Sequence, residues 1–480
     1  MASFDKKIFD LKRYSSNTAC ICEDGEIFSY DDLYDLSELF YQYVKRRCII
    51  LFLCEKEFAC LVGYISCLNH NVVPLMIDSK TEKSLLNNYI ELYHPDFIFC
   101  PKGGNFDSYI HQNDILSYSL FKSEICFSYS KIYDDIALLL PTSGSTGSQK
   151  VVKQSYKNIL SNTESILNFL HTNENDRTIT TLPLNYTYGL SIVNTHIFSG
   201  ASILFTNKTI IQSEFWKLFQ KYQITSFNGV PFIYEMLRKL NFAKKDFSSL
   251  RIMTQAGGHL DNSLQEYFAQ YCQLKGIKFF VMYGQTEATA RISYLPHELA
   301  LKKIGSIGVA IPGGRIFLRR DDGSEIEEPR TEGELMYKGD NVTLGYASCI
   351  DDLLGESTRN NVLSTGDIAY KDEEGFFYIS GRKNRFLKIY GKRVALSEVE
   401  NLLNAQFELS QFLCSGKDDL LEVYVKGVTG SESVVGFIEK NIGINRRAIR
   451  VSYLKDIPVN ASGKIMYSKL NEYICNSTSE

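Results

Sequence analysis

The segment Leu138-Leu-Leu-Pro-Thr-Ser-Gly-Ser-Thr-Gly-Ser-Gln-Lys150 joins an apolar run to a loop of small residues. The run from Ile136 to Leu140 is short, continuous and bounded by a proline, which predicts a buried strand. The loop can bend sharply at its two glycines and turn several N–H groups and hydroxyls toward one point. A phosphate chain fits such a point, so we expect it to be bound by Thr142, Ser143, Gly144, Ser145, Thr146, Gly147 and Lys150.

This loop differs from the Walker A pattern, in which the lysine is followed by Ser or Thr, because Val151 follows Lys150. A run of Ser, Thr and Gly is also typical of a flexible surface turn. The segment alone leaves both interpretations open.

The chain before the loop alternates strand and helix patterns. Ile49 to Leu53 and Val72 to Met76 are apolar runs typical of buried strands, and Phe58 to Asn69 between them is typical of a helix. This order predicts a βαβ unit and therefore a parallel sheet. The segment Ile27 to Leu33 is typical of a strand that ends in a helix cap, with Ser29 or Asp31 as the N-cap.

Beyond the loop, apolar strands end in segments rich in functional side chains. The string Phe279 to Glu287 places Tyr283, Gly284, Thr286 and Glu287 at the carboxyl end of a strand, where ligands gather in α/β sheets. Paired glycines also follow a strand and would let a flat ligand approach the backbone, although a simple tight turn explains them equally well. The other candidates from this region are Tyr186, Tyr188, Gly189, Asn228, Gly229, Gly257 and Gly258.

The C-terminal third contributes three further candidates. Asp367 follows Ser364-Thr-Gly and could accept hydrogen bonds from both hydroxyls of a ribose. Arg382 opens the basic segment Gly381 to Gly391, which without context resembles a solvated turn. Near the end, the segment Ile457-Pro-Val-Asn-Ala-Ser-Gly-Lys464 predicts a loop that presents Lys464.

In this order and spacing, the segments ending at Lys150, Glu287, Asp367, Arg382 and Lys464 closely resemble the core motifs of the adenylate-forming (ANL) superfamily. That superfamily comprises acyl- and aryl-CoA synthetases, adenylation domains of peptide synthetases, and firefly-type luciferases. The resemblance covers nearly the whole chain. It implies activation of a carboxylic acid by ATP to an acyl-adenylate with release of pyrophosphate, followed by transfer to a thiol.

The resemblance also implies residue roles. Tyr283 stacks on adenine, Thr286 meets the α-phosphate, Glu287 holds Mg²⁺, and Lys464 is the catalytic lysine. Asp367 and Arg382 hold the ribose and the phosphates. The segments around the two tyrosines and Asn228 line the acid pocket. The cofactors implied are ATP, Mg²⁺, and CoA or a phosphopantetheine.

The implied fold class is α/β. A large N-terminal AMP-binding domain at residues 1–383 has two αβ sheets and a β-barrel-like subdomain, and a small mobile C-terminal α+β domain occupies residues 384–480. Asn384 stands where the superfamily usually has the hinge Asp or Lys, and Asn tolerates unusual backbone angles.

The acid and the acceptor stay open at this stage. Peptide-synthetase domains place an Asp near the position of Gly189 to hold an amino group, so an uncharged acyl or aryl acid is favoured over an amino acid. The acceptor is CoA or a separate acyl carrier protein. Amino-acid adenylation for carrier loading and a non-catalytic nucleotide-binding protein on the same fold are the alternatives.

Composition limits the remaining classes. The net charge of -4 argues against a nucleic-acid binder, which usually carries a basic excess. The most apolar region, Cys48 to Leu68, is interrupted by Glu55, Lys56 and Glu57, so we expect no membrane span. The twelve cysteines contain no C-x-x-C pair and no secretory signal precedes them, which predicts free thiols and a cytoplasmic location.

Overall fold

A computed structural model of the chain describes residues 8–125, 131–141, 150–245, 247–356, 361–383, 385–390, 392–417, 419–460 and 465–475. Its backbone divides into two compact units. The first comprises Met1–Arg315 and Lys338–Leu363, and the second comprises Ile316–Tyr337 and Ser364–Glu480. The predicted phosphate loop from Thr142 to Gly147, the hinge Asn384 and the catalytic Lys464 lie outside the described residues, so their placement stays a prediction.

Each α-helix of the described residues buries apolar side chains. The helices are α1 (Tyr30–Val44), α2 (Phe58–Asn69), α3 (Lys83–Tyr93), α4 (Tyr156–Leu170), α5 (Thr187–Phe198), α6 (Ser213–Lys221), α7 (Pro231–Lys239), α8 (Asn262–Lys275), α9 (Leu396–Gln406) and α10 (Ser431–Ile442).

The strands of the first part of the chain are β1 (Thr18–Ile21), β2 (Ile27–Ser29), β3 (Ile49–Cys54), β4 (Val73–Asp78), β5 (Phe97–Pro101), β6 (Tyr109–Ile115), β7 (Tyr118–Ser123), β8 (Ile136–Pro141), β9 (Val151–Ser155), β10 (Arg177–Ile179), β11 (Ser202–Leu204), β12 (Ser226–Gly229), β13 (Ile252–Gln255), β14 (Lys278–Tyr283), β15 (Ser293–Leu295) and β16 (Val309–Ala310). Those of the remainder are β17 (Arg315–Arg319), β18 (Glu325–Ile326), β19 (Gly333–Lys338), β20 (Tyr346–Ala347), β21 (Val362–Lys371), β22 (Phe377–Arg382), β23 (Phe386–Ile389), β24 (Lys392–Ala395), β25 (Ser410–Lys417), β26 (Leu420–Gly427) and β27 (Ile449–Tyr453).

The first unit contains two large sheets. One has the strand order β16-β15-β14-β13-β12-β10-β11-β1-β2, and the other has the order β20-β9-β8-β4-β3-β5-β7-β6. The middle strands of both sheets are parallel, and antiparallel strands close their edges. This confirms the predicted pair of αβ sheets, because parallel neighbours require helical crossovers.

Helix α2 explains how the two sheets share a core. Its residues from Phe58 to Leu68 are all buried, as expected of a helix that is apolar on every side. The core around it includes Ile50 from the second sheet and Ile203 from the first. The strands before and after this helix in the chain, β3 and β4, pair in parallel. This confirms the predicted βαβ unit. Ser29 caps α1 in a capping box with Asp32, which also confirms that prediction.

In its described residues, the second unit has three smaller sheets and two α-helices. A five-stranded sheet, β18-β17-β19-β21-β22, corresponds to the predicted β subdomain. A hairpin, β23-β24, and a three-stranded sheet, β25-β26-β27, pack with α9 and α10 around an apolar core that includes Leu403, Val423 and Ile438. This is the small α+β region expected from the sequence. The domain boundary at residues 383 and 384 stays a prediction.

Within the described ranges, no helix combines the length and the hydropathy needed to cross a bilayer.

Candidate active site

The carboxyl ends of three parallel strands form one edge of the nine-stranded sheet. Gly229 of β12 pairs in register with Gln255 of β13, and Gln255 pairs with Val281 of β14. The strands therefore end side by side, and the segments that follow them leave the sheet at the same edge. The structure thus brings together five of the predicted residues: Asn228, Gly229, Gly257, Gly258 and Tyr283.

The turn after β14 is held in place by a polar clamp. The Asn341 side-chain amide donates to the carbonyls of Ala288 and Arg291, each at 2.8 Å, and the Thr289 hydroxyl donates to the Asn341 carbonyl at 2.8 Å. Gly284 is required here, since an added Cβ would lie 1.8 Å from the Ala290 carbonyl oxygen. The clamp fixes the backbone that carries Thr286 and Glu287.

Glu287 is connected to the end of the predicted phosphate loop. The Tyr346 hydroxyl donates to the Glu287 carboxylate, Oη to Oε1, at 2.5 Å. Tyr346 lies on β20 and pairs with Val152 of β9, the strand that begins directly after the exposed Lys150. The β9 residue Gln154 also donates to the Thr286 carbonyl at 3.4 Å. Two segments more than a hundred residues apart in sequence therefore meet at one place in the first unit.

The chemistry of this place fits Mg²⁺. No group of three or more His, Cys, Asp or Glu side chains in the described chain could hold a metal ion by itself. Mg²⁺ bound with a nucleotide needs only one or two carboxylates, with phosphate oxygens and water completing its shell. The half-buried Glu287, held by Tyr346, meets that requirement.

The two predicted pocket tyrosines lie at the start of α5 and are buried. Their ring centroids are 6.3 Å apart. Burial raises the pKa of both phenols, which stay neutral. The Tyr188 hydroxyl contacts the Thr254 hydroxyl at 2.7 Å, and Thr254 donates to the Asn228 amide oxygen at 2.6 Å. This chain of hydrogen bonds connects α5 to the inner strands of the sheet.

Tyr186 explains the first of the paired glycines, Gly257. A Cβ at Gly257 would lie 2.4 Å from the Tyr186 hydroxyl oxygen, and Gly257 has a φ of +86°, which disfavours other residues. The glycine therefore makes room for the tyrosine. This packing is an alternative explanation for the glycine, besides the predicted close approach of a ligand. Gly189 lies in α5, where its backbone packs tightly against the Pro183 carbonyl.

A pocket lies between α4, α5 and the strands β12 and β13. Asn228, predicted from the sequence, lines it, but most of its walls come from residues that sequence reasoning did not select. They are Ile166, Leu170, Thr172, Ser191, Ile192, Thr195, His196, Ser226, Ile252, Thr254 and Arg291.

Arg291 is the most unexpected of these residues. It is 2% exposed, and its guanidinium lies 4.1 Å from the centroid of the Tyr188 ring. Its Nε donates to the Met282 sulfur at 3.3 Å, a weak acceptor. Burying a guanidinium costs several kcal/mol, and a cation–π contact returns about 0.5–2 kcal/mol. The only sequence signal was its position a few residues beyond the Tyr283 motif.

In the second unit, Asp367 and Arg382 lie opposite each other on β21 and β22. The arginine Nε donates to the Asp367 carboxylate at 2.8 Å. The Asp367 side chain is 4% exposed, whereas that of Arg382 is 63% exposed. The structure therefore places a buried carboxylate, held by its arginine partner, beside a guanidinium that is exposed to solvent.

Comparison with known proteins decides the family. The AMP-binding enzyme family matches residues 10–347, which is more than half of the chain. The chain belongs to the AMP-binding enzyme family. This membership confirms the resemblance found in the sequence and the predicted enzyme class, an AMP-forming ligase that joins a carboxylic acid to a thiol.

Individual relatives agree with this assignment. This AMP-binding enzyme is 29% identical over 358 residues to a 2-succinylbenzoate–CoA ligase of Geobacillus sp., across 72% of its own length and 70% of that protein. It is also 29% identical over 351 residues to a probable CoA ligase of Humulus lupulus, CCL5, across 70% of its own length and 63% of that protein.

A solved structure of similar fold is the o-succinylbenzoate CoA synthetase MenE from Bacillus subtilis in complex with its acyl-adenylate intermediate. Its TM-score is 0.78 at 21% identity, with 96% of this chain and 97% of that chain covered. At this identity the likeness shows the fold alone, and it confirms the predicted α/β fold class.

Proposed function

We propose that this enzyme activates a carboxylic acid with ATP to an acyl-adenylate and then transfers the acyl group to CoA. The family supports the two-step reaction, and the relatives named as CoA ligases support CoA as the acceptor. The observation that carries the proposal is the contact between Tyr346 and Glu287. Through it, strand β9, which follows the predicted phosphate loop in the chain, is linked by way of β20 to the candidate magnesium ligand Glu287.

The proposed adenylation must overcome repulsion, because the attacking carboxylate and the triphosphate are both anionic. Magnesium bound with the nucleotide supplies neutralising charge at the phosphates. Lys464 would place a second positive charge at the attacking carboxylate and the α-phosphate. Residues Thr142 to Lys150 would hold the departing pyrophosphate with backbone N–H groups, hydroxyls and the lysine ammonium.

The remaining residues would position the nucleotide. Tyr283 would stack on adenine, and Asp367 with Arg382 would fix the ribose, so that the two reactants meet in line. After adenylation, the C-terminal domain would turn about Asn384, withdraw Lys464 and admit the thiol. A separate acyl carrier protein as acceptor, amino-acid adenylation and a cytoplasmic location stay predictions.

The test is pyrophosphate release measured with purified enzyme, ATP and Mg²⁺ over a panel of carboxylic and amino acids, with CoA present and absent. We expect release that depends on the acid, and an acyl-CoA product when CoA is present. If a thioester forms only when an acyl carrier protein is added, the carrier protein and not CoA is the acceptor. No release with any acid would favour the non-catalytic alternative.

Asp367→Ala is expected to weaken ATP binding by at least about 30-fold, because even one hydrogen bond to a charged acceptor contributes about 1.5–3 kcal/mol. Titration calorimetry of the variant with ATP measures this loss. The control is Asp321→Ala, which removes an exposed carboxylate from the same sheet region.

Analogues of ATP make the Asp367 test specific. ATP that lacks one ribose hydroxyl should bind the wild type more weakly than ATP does, and the variant should no longer distinguish the two nucleotides. Equal affinities of wild type and variant for ATP would show that Asp367 does not bind the ribose.

A further inference from the structure

The Arg291 guanidinium is a buried cation without a carboxylate partner among the described residues. Its polar contacts there are the Met282 sulfur and the face of the Tyr188 ring. Burial lowers its pKa, and the two neighbouring tyrosines, Tyr188 and Tyr186, oppose that shift. Arginine side chains usually bury their aliphatic part and keep the guanidinium in contact with water. Here the side chain stays inside, next to a pocket.

The lining of the pocket combines apolar surface with polar groups. Eight of its twelve lining residues carry hydroxyl, amide, imidazole or guanidinium groups, and none carries a carboxylate. His196 is internally satisfied, since its Nδ1 lies 2.7 Å from the Ile192 carbonyl and its Nε2 lies 3.1 Å from the Ser226 hydroxyl. Burial lowers the pKa of His196, which favours the neutral ring. Arg291 therefore supplies the formal charge of this lining.

The backbone also holds Arg291 in this inward position. Ala290, directly before it, has a φ of +113°, an unfavourable conformation for a residue with a side chain. The Asn341 amide clamps the Arg291 carbonyl, and Asn162 donates to the same carbonyl at 3.1 Å. Strained backbone of this kind persists when the surrounding contacts enforce it, and it is concentrated at binding sites.

We propose that Arg291 selects a carboxylic acid that carries a second carboxylate at its far end. The guanidinium would pair with that distal carboxylate, while the proximal carboxylate is the one activated by ATP. Tyr188, Thr254 and Asn228 would surround the chain between the two. This inference rests on the proposed function, and it replaces the expectation of an uncharged acid drawn from Gly189.

The first experiment compares straight-chain dicarboxylic acids of increasing length, each paired with its half-amide, in the pyrophosphate assay. The half-amide keeps the shape and removes the distal charge. For the best length, we expect kcat/KM to be about 100-fold higher for the diacid, because an unpaired buried charge is costly. In Arg291→Gln this preference should disappear through a higher KM for the diacid, with little change for the half-amide.

Two further variants complete the design. Arg291→Lys keeps the charge without the planar fork, so it should recover part of the preference. Arg330→Gln makes the same chemical change at an exposed arginine, whose side chain is 74% exposed and which pairs with Glu373, and should behave as wild type.

A stability measurement gives a readout independent of turnover. Arg291→Met removes a buried charge and should raise the melting temperature by about 2 °C or more. The preferred diacid should stabilise the wild type against heat but not this variant.

The outcomes separate the two proposals. Acid-dependent release that is equal for diacids and half-amides, and unchanged by Arg291→Gln, would overturn the role of Arg291 and leave the ligase function intact. Absence of release with every acid tested would overturn the ligase function, and the selection of a diacid with it.

Discussion

Replacing Lys464 with alanine is expected to lower the rate of acyl-adenylate formation by about 1000-fold while leaving ATP affinity nearly unchanged. The physical reason is that two anions must approach each other, and the lysine charge acts most strongly as they do so. A group that stabilises the transition state more than the bound substrate affects kcat rather than the binding constant.

The measurement for Lys464 combines acid-dependent pyrophosphate release with nucleotide titration. Lys469→Ala is the matched control, because it removes an exposed lysine from the same C-terminal segment. A second half-reaction sharpens the test. When a synthetic acyl-adenylate is supplied with CoA, the Lys464 variant should still form the thioester, since the adenylation barrier has been bypassed. Unchanged pyrophosphate release would show that this lysine is not the catalytic one.

The second large effect is expected for Glu287→Gln. The glutamine keeps the size of the side chain and can still accept a hydrogen bond from Tyr346, which in the wild type donates to the carboxylate at 2.5 Å. It removes the negative charge that Mg²⁺ requires. We expect kcat/KM to fall by about 100-fold, and the Mg²⁺ concentration for half-maximal rate to rise by about 10-fold.

The decisive readout for Glu287 is the dependence of rate on magnesium rather than the rate alone. Glu266→Gln makes the same change on the exposed face of α8 and should leave that dependence unaltered. A variant that loses activity with an unchanged magnesium requirement would point to a structural role in the turn after β14, where Asn341 and Thr343 hold the same backbone.

Short sequence motifs were enough to predict much of the fold and the family of this protein. The apolar runs of β3, β8 and β14 and the capping box of α1 were visible because each depends on residues close together in the chain. The order of the motifs led to the family, which the match over residues 10–347 confirms. Phosphate loops and strand-end carboxylates have a recognisable composition because their chemistry demands particular residue types at fixed spacings.

Tertiary structure decided what depends on distant contacts. Nothing in the sequence analysis gave Tyr346 a role, and only the pairing of β20 with β9 shows that its hydroxyl contacts Glu287. Arg291 resembled an ordinary surface arginine in sequence, because nothing nearby in the chain shows that α4, α5 and two strands enclose it. Whether a charge is buried and whether it has a partner are properties of packing between segments. For that reason the reaction class could be predicted from the sequence. The residue proposed to select the acid substrate, Arg291, could be identified only in the folded chain.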